Sequence, residues 1–218
     1  MTDPREVILK ALAEPGSPAF TCSFQAEDMV VLHYLRKERP EIPVLFLETG
    51  YHFPETYEYR DRIAREWNLN LINMIPKITR EAQEAQFGNL FQIKPDQCCG
   101  IRKVEPLFSA LENYEIWFTG LRREQSPTRA GLEPFGTHRL VSGKTLAKIS
   151  PVFDWTWKDV WAYLTIHEIP HLPLYDQGYT SIGCEPCTAK PSGDDLRSGR
   201  WGGKKLECGI HIEPVSSK

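Results

Sequence analysis

Six cysteines are the residues of this chain best suited to chemistry, and their spacing is uneven. Two are adjacent in the stretch "CCGIRK", two frame "CEPC", and Cys22 and Cys208 each stand alone. In a reducing compartment, cysteines act as metal ligands or catalysts more often than they form disulfides. The pattern therefore indicates a metal site and a separate thiol with a task of its own.

The two cysteine pairs supply four thiolates, the ligand set of either a structural zinc ion or an iron–sulfur cluster. The pairs are Cys98 with Cys99 and Cys184 with Cys187. Adjacent cysteines are not the usual spacing of a zinc knuckle, which weakens the zinc interpretation. A vicinal disulfide between Cys98 and Cys99, or unconnected buried thiols, are the alternatives.

Cys208 lies in the basic, glycine-containing tail "GGKKLECGIH", which predicts a mobile nucleophile. Three nearby residues would favour its thiolate form: Lys204, Lys205 and His211. Three glycines would let the tail move: Gly202, Gly203 and Gly209. Cys22 lies inside an apolar run, and we expect it to be a small core residue.

Cationic residues recur beside these motifs. The stretch "TGLRREQSPTR" carries Arg122, Arg123 and Arg129. Three more accompany the cysteines: Lys103, Arg197 and Arg200. Guanidinium forks match the geometry of sulfate and phosphate, so we expect an anion carrying such groups to bind among them. A solvated charged loop is the alternative for each arginine taken alone.

The whole chain has 218 residues and a formal net charge of −3, with 41% apolar and 25% charged residues. This balance is typical of a globular protein and gives no general attraction to nucleic acid or to an anionic membrane. The charged N-terminal stretch has no continuous apolar run of signal-peptide length. We therefore expect a cytoplasmic protein.

Apolar runs alternate with helical patterns, which predicts a Rossmann-like α/β fold with a parallel sheet covered by helices on both faces. The predicted strands are residues 19–24, 42–50, 69–76 and 114–122, followed by a strand-like "KISPVFDW". The main predicted helices are residues 27–38, 54–69 and 156–169. The pattern loosens from about residue 131. Ligands of such folds bind at the carboxyl ends of the strands, where "SFQAED", "LETGYHF" and "TGLRREQ" fall.

We predict a nucleotide-binding α/β part over residues 1–169, which includes the first cysteine pair. Residues 170–218 are predicted to form an irregular segment with the second pair and a mobile catalytic tail. Together they would make a single structural domain. The sequence leaves open whether the chain forms a homo-oligomer.

The motifs, in order, are "SFQAED", "FLETGYHFPETY", "CCGIRKVEPL", "WFTGLRREQSPTRA", "ISPVFDWTWKDVWAYL", "IPHLPLYDQGYTSIGCEPCT" and "GRWGGKKLECGIH". Together they resemble the assimilatory adenylyl-sulfate reductases, relatives of the phosphoadenylyl-sulfate reductases, over residues 19–212. The resemblance implies an adenine nucleotide alpha-hydrolase-like fold. It also implies reduction of adenosine 5′-phosphosulfate to sulfite and AMP through an S-sulfonate on Cys208, which thioredoxin or a similar dithiol protein then resolves.

The same resemblance implies the roles of individual residues. A [4Fe-4S] cluster would be bound by Cys98, Cys99, Cys184 and Cys187. The catalytic set would be Cys208, His211, Arg197, Arg200 and Lys103, with Lys103 close to both cluster and substrate. The substrate would contact Ser23, Phe24, Gln25, Ala26, Glu27, Asp28, Leu47, Glu48, Thr49, Gly50, Gly120, Arg122 and Arg129. Gln25 and Glu48 replace the residues usual in the family, glycine and aspartate, and we expect altered packing there.

Three alternatives stay open. A reductase of the 3′-phosphorylated nucleotide, or one that accepts both nucleotides, belongs to the same family, but members specialised for that substrate generally lack the four cysteines. A ligase or sulfurtransferase of the ATP-pyrophosphatase type would use an "SGGxDS" loop, which "SFQAED" is not. A redox-sensing metal protein would not need the arginine set.

Overall fold

The computed structural model describes residues 1–193, 195–203, 205 and 207–211. Within them, six strands form one sheet: β1 (Pro18–Thr21), β2 (Pro43–Leu47), β3 (Asn70–Met74), β4 (Ile116–Phe118), β5 (Phe135–Arg139) and β6 (Thr145–Ile149). Their order across the sheet is β3-β2-β1-β4-β6-β5. All neighbouring pairs are parallel except β5 and β6, which are antiparallel.

The central strands are apolar along their whole length because both faces of the sheet are covered. Phe20 of β1 packs into one hydrophobic layer and its neighbour Ala19 packs into the other, and both are fully buried. Successive side chains of a strand point to opposite faces, so a strand buried on both sides carries a continuous apolar run. This confirms the two-sided coverage that the sequence predicts.

Eight α-helices surround the sheet in the described part of the chain. They are α1 (Pro4–Leu12), α2 (Ala26–Glu38), α3 (Pro54–Glu66), α4 (Arg80–Phe87), α5 (Leu90–Ile93), α6 (Pro95–Cys99), α7 (Glu105–Leu111) and α8 (Trp157–Ile166). Helices α1, α2, α3 and α8 contribute to the layer that contains Phe20, whereas α7 contributes to the opposite layer. None of the described helices is long and apolar enough to cross a membrane.

The predicted parallel sheet is confirmed, and one antiparallel pair that the sequence does not predict lies at its edge. β5 forms an antiparallel hairpin with β6 in the region where the sequence pattern loosens. Its sequence is "FGTHR", in which only His138 is buried. An edge strand with so little buried surface has no apolar run to reveal it. The "KISPVFDW" strand is also displaced, because β6 ends at Ile149.

Residues 170–193 have little regular structure beyond two short 3₁₀ turns, Pro173–Tyr175 and Glu185–Cys187. A third turn, Trp201–Gly203, precedes the tail. Leu172, Leu174 and Ile182 nevertheless pack into the same core layer as Phe20. Lys204 and residues 212–218 of the predicted tail lie outside the described residues.

The strand order places the topological switch point between β1 and β4. The chain runs outward from β1 through β2 to β3 and then returns to the other side of β1 at β4. A crevice opens at the carboxyl ends of the strands at such a point, and it is where open α/β sheets bind their ligands. The expected site therefore lies beyond Thr21 and Phe118.

Candidate active site

A cavity of about 510 Å³ lies at this switch point. The residues that follow β1 and β4 line its base, among them Ser23, Gln25, Asp28, Thr119 and Gly120. The C-terminal segment and tail complete its lining with Arg197, Arg200, Glu207, Cys208 and His211. The structure therefore brings residues from both ends of the chain to one cavity.

Asp28 fixes the loop between β1 and α2. Its Oδ2 atom accepts hydrogen bonds from the Ser23 backbone N–H and from Ser23 Oγ, each at 2.6 Å. The Gly120 N–H also donates to this carboxylate and so joins the ends of β1 and β4. Burial raises the Asp28 pKa to about 6, although the Ser23 bonds favour the charged form. Asp28 therefore shapes the loop that the sequence predicts to contact the nucleotide.

Gln25, at the position where the family usually has glycine, links this loop to the C-terminal segment. Its Nε2 atom donates to Ser23 Oγ at 3.0 Å, and its Oε1 atom accepts from the Ile182 N–H at 2.8 Å. It is also the N-cap residue of α2, without a side-chain cap of its own. The altered packing expected at Gln25 is therefore a contact between the β1–α2 loop and the C-terminal segment.

Two predicted contact residues of the same loop have their side chains elsewhere. Phe24 adopts a positive φ of 60°, and its ring is fully buried against Phe46 in the core. The Ala26 N–H donates to the Tyr175 hydroxyl at 3.0 Å. Neither lines the cavity, since a strained turn directs the aromatic side chain inward.

Glu27 and Arg122, both predicted to bind substrate, are instead bonded to each other. The Arg122 Nη2 and Nε atoms donate to Glu27 Oε1 at 2.8 and 3.1 Å, and Nη1 donates to Glu124 at 2.7 Å. The Arg122 and Glu27 side chains are only 3% and 9% exposed. This buried pair lines the cavity, and Glu27 offsets the positive charge of Arg122 there.

Of residues 47–50, all predicted to contact substrate, Leu47 lines the cavity and the other three do not. Glu48 accepts from the Gly50 N–H at 2.9 Å and from the Tyr57 hydroxyl at 2.6 Å. Thr49 is fully buried, and its carbonyl accepts from Arg102 Nε at 2.8 Å. Residues 48–50 therefore stabilise the conformation of the loop and do not line the cavity.

The four paired cysteines line one small cavity on the other side of this loop, together with Lys103 and Trp201. Cys98 and Cys99 end α6 and lead into a π-helical turn, Gly100–Val104. Cys184 precedes the turn Glu185–Cys187, and Cys187 is its last residue. The π-helical turn directs Arg102 to Thr49 while Lys103 lines both cavities.

Polar groups point at three of these sulfur atoms. Gln83 Nε2 donates to Cys98 Sγ at 3.8 Å, Lys205 Nζ donates to Cys99 Sγ at 3.4 Å, and Cys184 Sγ contacts Thr49 Oγ1 at 3.4 Å. Burial raises the pKa of the Cys98 and Cys99 thiols and raises that of Cys187 to about 11. A bound metal would reverse this, because a coordinating thiol is deprotonated outright.

The donor set limits which kind of metal group could fit. In the described part of the chain, no group of three or more His, Cys, Asp or Glu side chains is placed to hold a metal ion. The four thiols nevertheless surround a common cavity, with N–H donors to sulfur nearby. Four thiols around one cavity match the ligand number of an iron–sulfur cluster and also that of a tetrahedral zinc ion.

Buried cations collect at the end of the large cavity nearest the cysteines. Burial opposes the charge of Lys103, but the thiols of Cys184, Cys208 and Cys99 outweigh it and raise the Lys103 pKa. Arg200 is 6% exposed, stacks on Trp201 at 4.5 Å, and has an Nε atom without a hydrogen-bond partner among the described residues. Burial and the neighbouring Arg129 and Arg200 lower the Arg197 pKa. Concentrated positive charge of this kind favours an anionic ligand.

The described tail residues 207–211 lie along the cavity and place Cys208 beside these cations, where the thiol is half-buried. His211 is buried and stacks on Trp117, with ring centroids 5.5 Å apart. Burial, together with Lys148 and Arg129, holds the His211 pKa well below its usual value. This lowered pKa favours the neutral ring, so the expectation that His211 supports the thiolate by its positive charge gains no support from the structure.

One residue of the site escaped the sequence analysis. Glu207 precedes the reactive cysteine, and its carboxylate accepts from both Nε and Nη2 of Arg129, at 2.9 and 2.7 Å. Arg129 is thus bonded to the tail in this structure, whereas the sequence predicts that it contacts substrate. The motif "ECGIH" contains this glutamate, but nothing local in the sequence indicates a partner 78 positions away.

The sheet order and the cavity at its switch point are those of the adenine nucleotide alpha-hydrolase-like fold, a class of α/β nucleotide-binding proteins. Within this class the chain can be placed further. Residues 17–190 match the family described as phosphoadenosine phosphosulfate reductase domain, and the chain belongs to that family of oxidoreductases. The resemblance drawn from the sequence motifs is confirmed.

Individual relatives support this assignment. The chain is 44% identical over 212 residues to a protein of Lysinibacillus sphaericus named adenosine 5′-phosphosulfate reductase, which covers 94% of this chain and 89% of the relative. A protein of the same name from Geobacillus kaustophilus is 42% identical over 213 residues, covering 95% and 89%. The crystal structure of phosphoadenylyl-sulfate (PAPS) reductase from Candida auris, in a phosphate complex, has a TM-score of 0.73 at 28% identity and covers 87% of this chain and 91% of that one.

Proposed function

We propose that this protein reduces adenosine 5′-phosphosulfate to sulfite and AMP in assimilatory sulfate reduction. The observation that carries the proposal is the position of Cys208, which lines the same cavity as Lys103, Arg197 and Arg200. A thiol among buried cations at the end of a nucleotide-sized cavity suits attack on an anionic sulfur group. The names of the curated relatives support the same substrate.

The nucleotide would occupy the base of the cavity. Ser23, Gln25, Asp28, Leu47 and Gly120 line it there and would contact the adenosine and its phosphate. The N-terminus of α2 lies at this loop, and the positive end of the helix dipole there favours a phosphate. This orientation would direct the phosphosulfate toward the cationic end.

The chemical step would be attack of the Cys208 thiolate on the sulfate sulfur. A sulfur–sulfur bond forms, the bond from sulfur to the bridging phosphate oxygen breaks, and AMP leaves with the electron pair. Thiolate and phosphosulfate repel each other, so the charges of Lys103, Arg197 and Arg200 would stabilise both their encounter and the departing phosphate. The product on the enzyme is a Cys208 S-sulfonate.

A second, external thiol must then release sulfite. We propose that thioredoxin or a similar dithiol protein attacks the Cys208 sulfur, sulfite leaves, and the second thiol of the dithiol resolves the mixed disulfide. The dithiol thus supplies the two electrons and becomes a disulfide. Because such dithiols are kept reduced in the cytoplasm, we place the protein there.

A [4Fe-4S] cluster is the cofactor we propose for Cys98, Cys99, Cys184 and Cys187. Four thiols around one cavity and N–H donors to two of the sulfurs support it. When bound, the cluster would supply a fixed local charge and redox-active iron. Lys103, which lines both cavities, would lie between the cluster and the phosphosulfate.

The decisive experiment measures sulfite release and sulfur transfer with each nucleotide. The anaerobically purified protein is incubated with adenosine 5′-phosphosulfate carrying radioactive sulfate sulfur, first without and then with reduced thioredoxin. We expect label on Cys208 in the first case, release as sulfite in the second, and no label in Cys208→Ser, which should still bind AMP. Faster turnover of the 3′-phosphorylated nucleotide would identify that nucleotide as the substrate instead. Labelling that does not depend on the nucleotide would overturn the mechanism.

A further inference from the structure

We propose that Glu207 holds the reactive tail in the cavity, and that Arg129 acts through this carboxylate instead of binding the substrate's anionic group. The catalytic half of this inference rests on the proposed function. The structural half, the docking of the tail, does not.

The inference rests first on the geometry of the ion pair between Arg129 and Glu207. Two Arg129 nitrogens donate to the two different oxygens of Glu207, at 2.9 and 2.7 Å, and Thr128 Oγ1 donates to Oε1 at 3.0 Å. The Arg129 and Glu207 side chains are only 10% and 8% exposed. A buried bidentate pair with an additional hydroxyl donor is a strong and directional contact. It joins residues that are 78 positions apart in the chain.

The third nitrogen of Arg129 also has a protein acceptor. Nη1 donates to Gln125 Oε1, which also accepts from the Arg122 N–H, while Gln125 Nε2 donates to Glu27 at 3.0 Å. Every guanidinium nitrogen of Arg129 is therefore engaged while the tail is docked. Arg200 differs, because its Nε atom has no hydrogen-bond partner among the described residues.

The ion pair matters for the reaction because Glu207 directly precedes Cys208 in the chain. Consecutive Cα atoms are about 3.8 Å apart, so fixing residue 207 limits where the next residue can be. The next residue is Cys208, and it lines the cavity beside Lys103. Arg129 also holds the Glu207 pKa below its usual value, although burial opposes this. Glu207 is thus a positioning residue, and its release would free the sulfur.

The test combines a structural and a kinetic measurement on the full-length holoenzyme. Backbone hydrogen exchange of the segment 207–211 is measured without nucleotide in wild type, Glu207→Gln and Arg129→Gln. We expect each substitution to speed exchange in this segment by roughly tenfold, because the same contact is lost in both. Glu207→Asp, which keeps the charge, should exchange at an intermediate rate. Unchanged exchange in Glu207→Gln would overturn the docking role.

Kinetics then separate positioning from substrate contact. If Arg129 acts through Glu207, each single variant lowers kcat with little change in KM, and the double variant is no slower than the slower single one. A raised KM in Arg129→Gln, with losses that add in the double variant, would show that Arg129 binds the substrate. The control is Glu133→Gln, which removes an exposed ion pair with Arg123 nearby and should leave exchange and turnover unchanged. A wild-type protein without reductase activity would refute the proposed function but leave the exchange result valid.

Discussion

Gly120 and Asp28 approach so closely that a Cβ atom at residue 120 would overlap the Asp28 carboxylate. The contact joins the carboxyl ends of β1 and β4, where the cavity opens. The absence of a side chain at residue 120 is therefore a requirement of the site.

Replacing Gly120 by alanine should displace the Asp28 carboxylate and with it the Ser23 loop. We expect AMP binding to weaken by at least about tenfold, since overpacking of this kind costs about 1–3 kcal/mol. Titration calorimetry with AMP measures the effect. Gly131→Ala is the matched control, because nothing lies within 4 Å of its added Cβ. Equal affinities in the two variants would contradict the importance of the contact.

Asp28 should make the stability of the protein depend on pH. Its pKa is raised from 3.8 to about 6 in the folded state, so it favours folding most below pH 3.8, and this contribution is lost as the pH rises through 6. The loss is about 3 kcal/mol, from about 1.36 kcal/mol per pKa unit. The difference in unfolding free energy between wild type and Asp28→Asn, measured in urea from about pH 4 to about pH 7, should change by most of this amount, about 2 kcal/mol, in favour of the variant. A difference that does not change with pH would show that the pKa of the Asp28 carboxyl group is not raised in the folded protein.

Lys103 should contribute to sulfur transfer and little to nucleotide affinity. Lys103→Met removes a buried charge next to Cys208 and the cysteine pairs while keeping a similar length. Because one preorganised group at a site of developing charge is typically worth about 100- to 1,000-fold in rate, we expect a loss of that size in the formation of the S-sulfonate. Quenched-flow labelling measures the rate, and AMP binding serves as the internal control. A wild-type rate in the variant would remove Lys103 from the proposed catalytic set.

The cysteine pairs should determine the metal content. Wild type purified without oxygen should be brown and contain about four iron and four sulfide per chain. Cys187→Ser should lose most of the iron, whereas Cys22→Ala should keep it, because Cys22 is a buried core residue. Metal and sulfide analysis measures both. A colourless wild type that contains zinc would refute the cluster.

The sequence predicted the elements whose signals are local. Apolar runs located β1 to β4, and the helical pattern at residues 156–169 matches α8, which Thr156 begins with a capping box. Strand β5 was missed because only one of its residues is buried. A strand that takes its stability from pairing at an edge leaves no hydrophobic period to detect.

The site was predictable as a set of motifs but not as a set of contacts. Spacing grouped the four paired cysteines, and the structure places them around one cavity. Nothing local shows that Glu27 neutralises Arg122, that Glu207 bonds to Arg129, or that Trp117 covers His211. Each of these pairs joins distant parts of the chain, so the tertiary fold alone decides which side chains meet.

The short loop of residues 47–50 contacts the residues of both cavities. Leu47 lines the nucleotide cavity, while the Thr49 hydroxyl contacts the sulfur of Cys184 on the other side. A substitution here would alter nucleotide affinity and metal retention at once. Loss of turnover in such a variant is thus uninterpretable on its own, and iron content and AMP affinity must be measured on the same preparation.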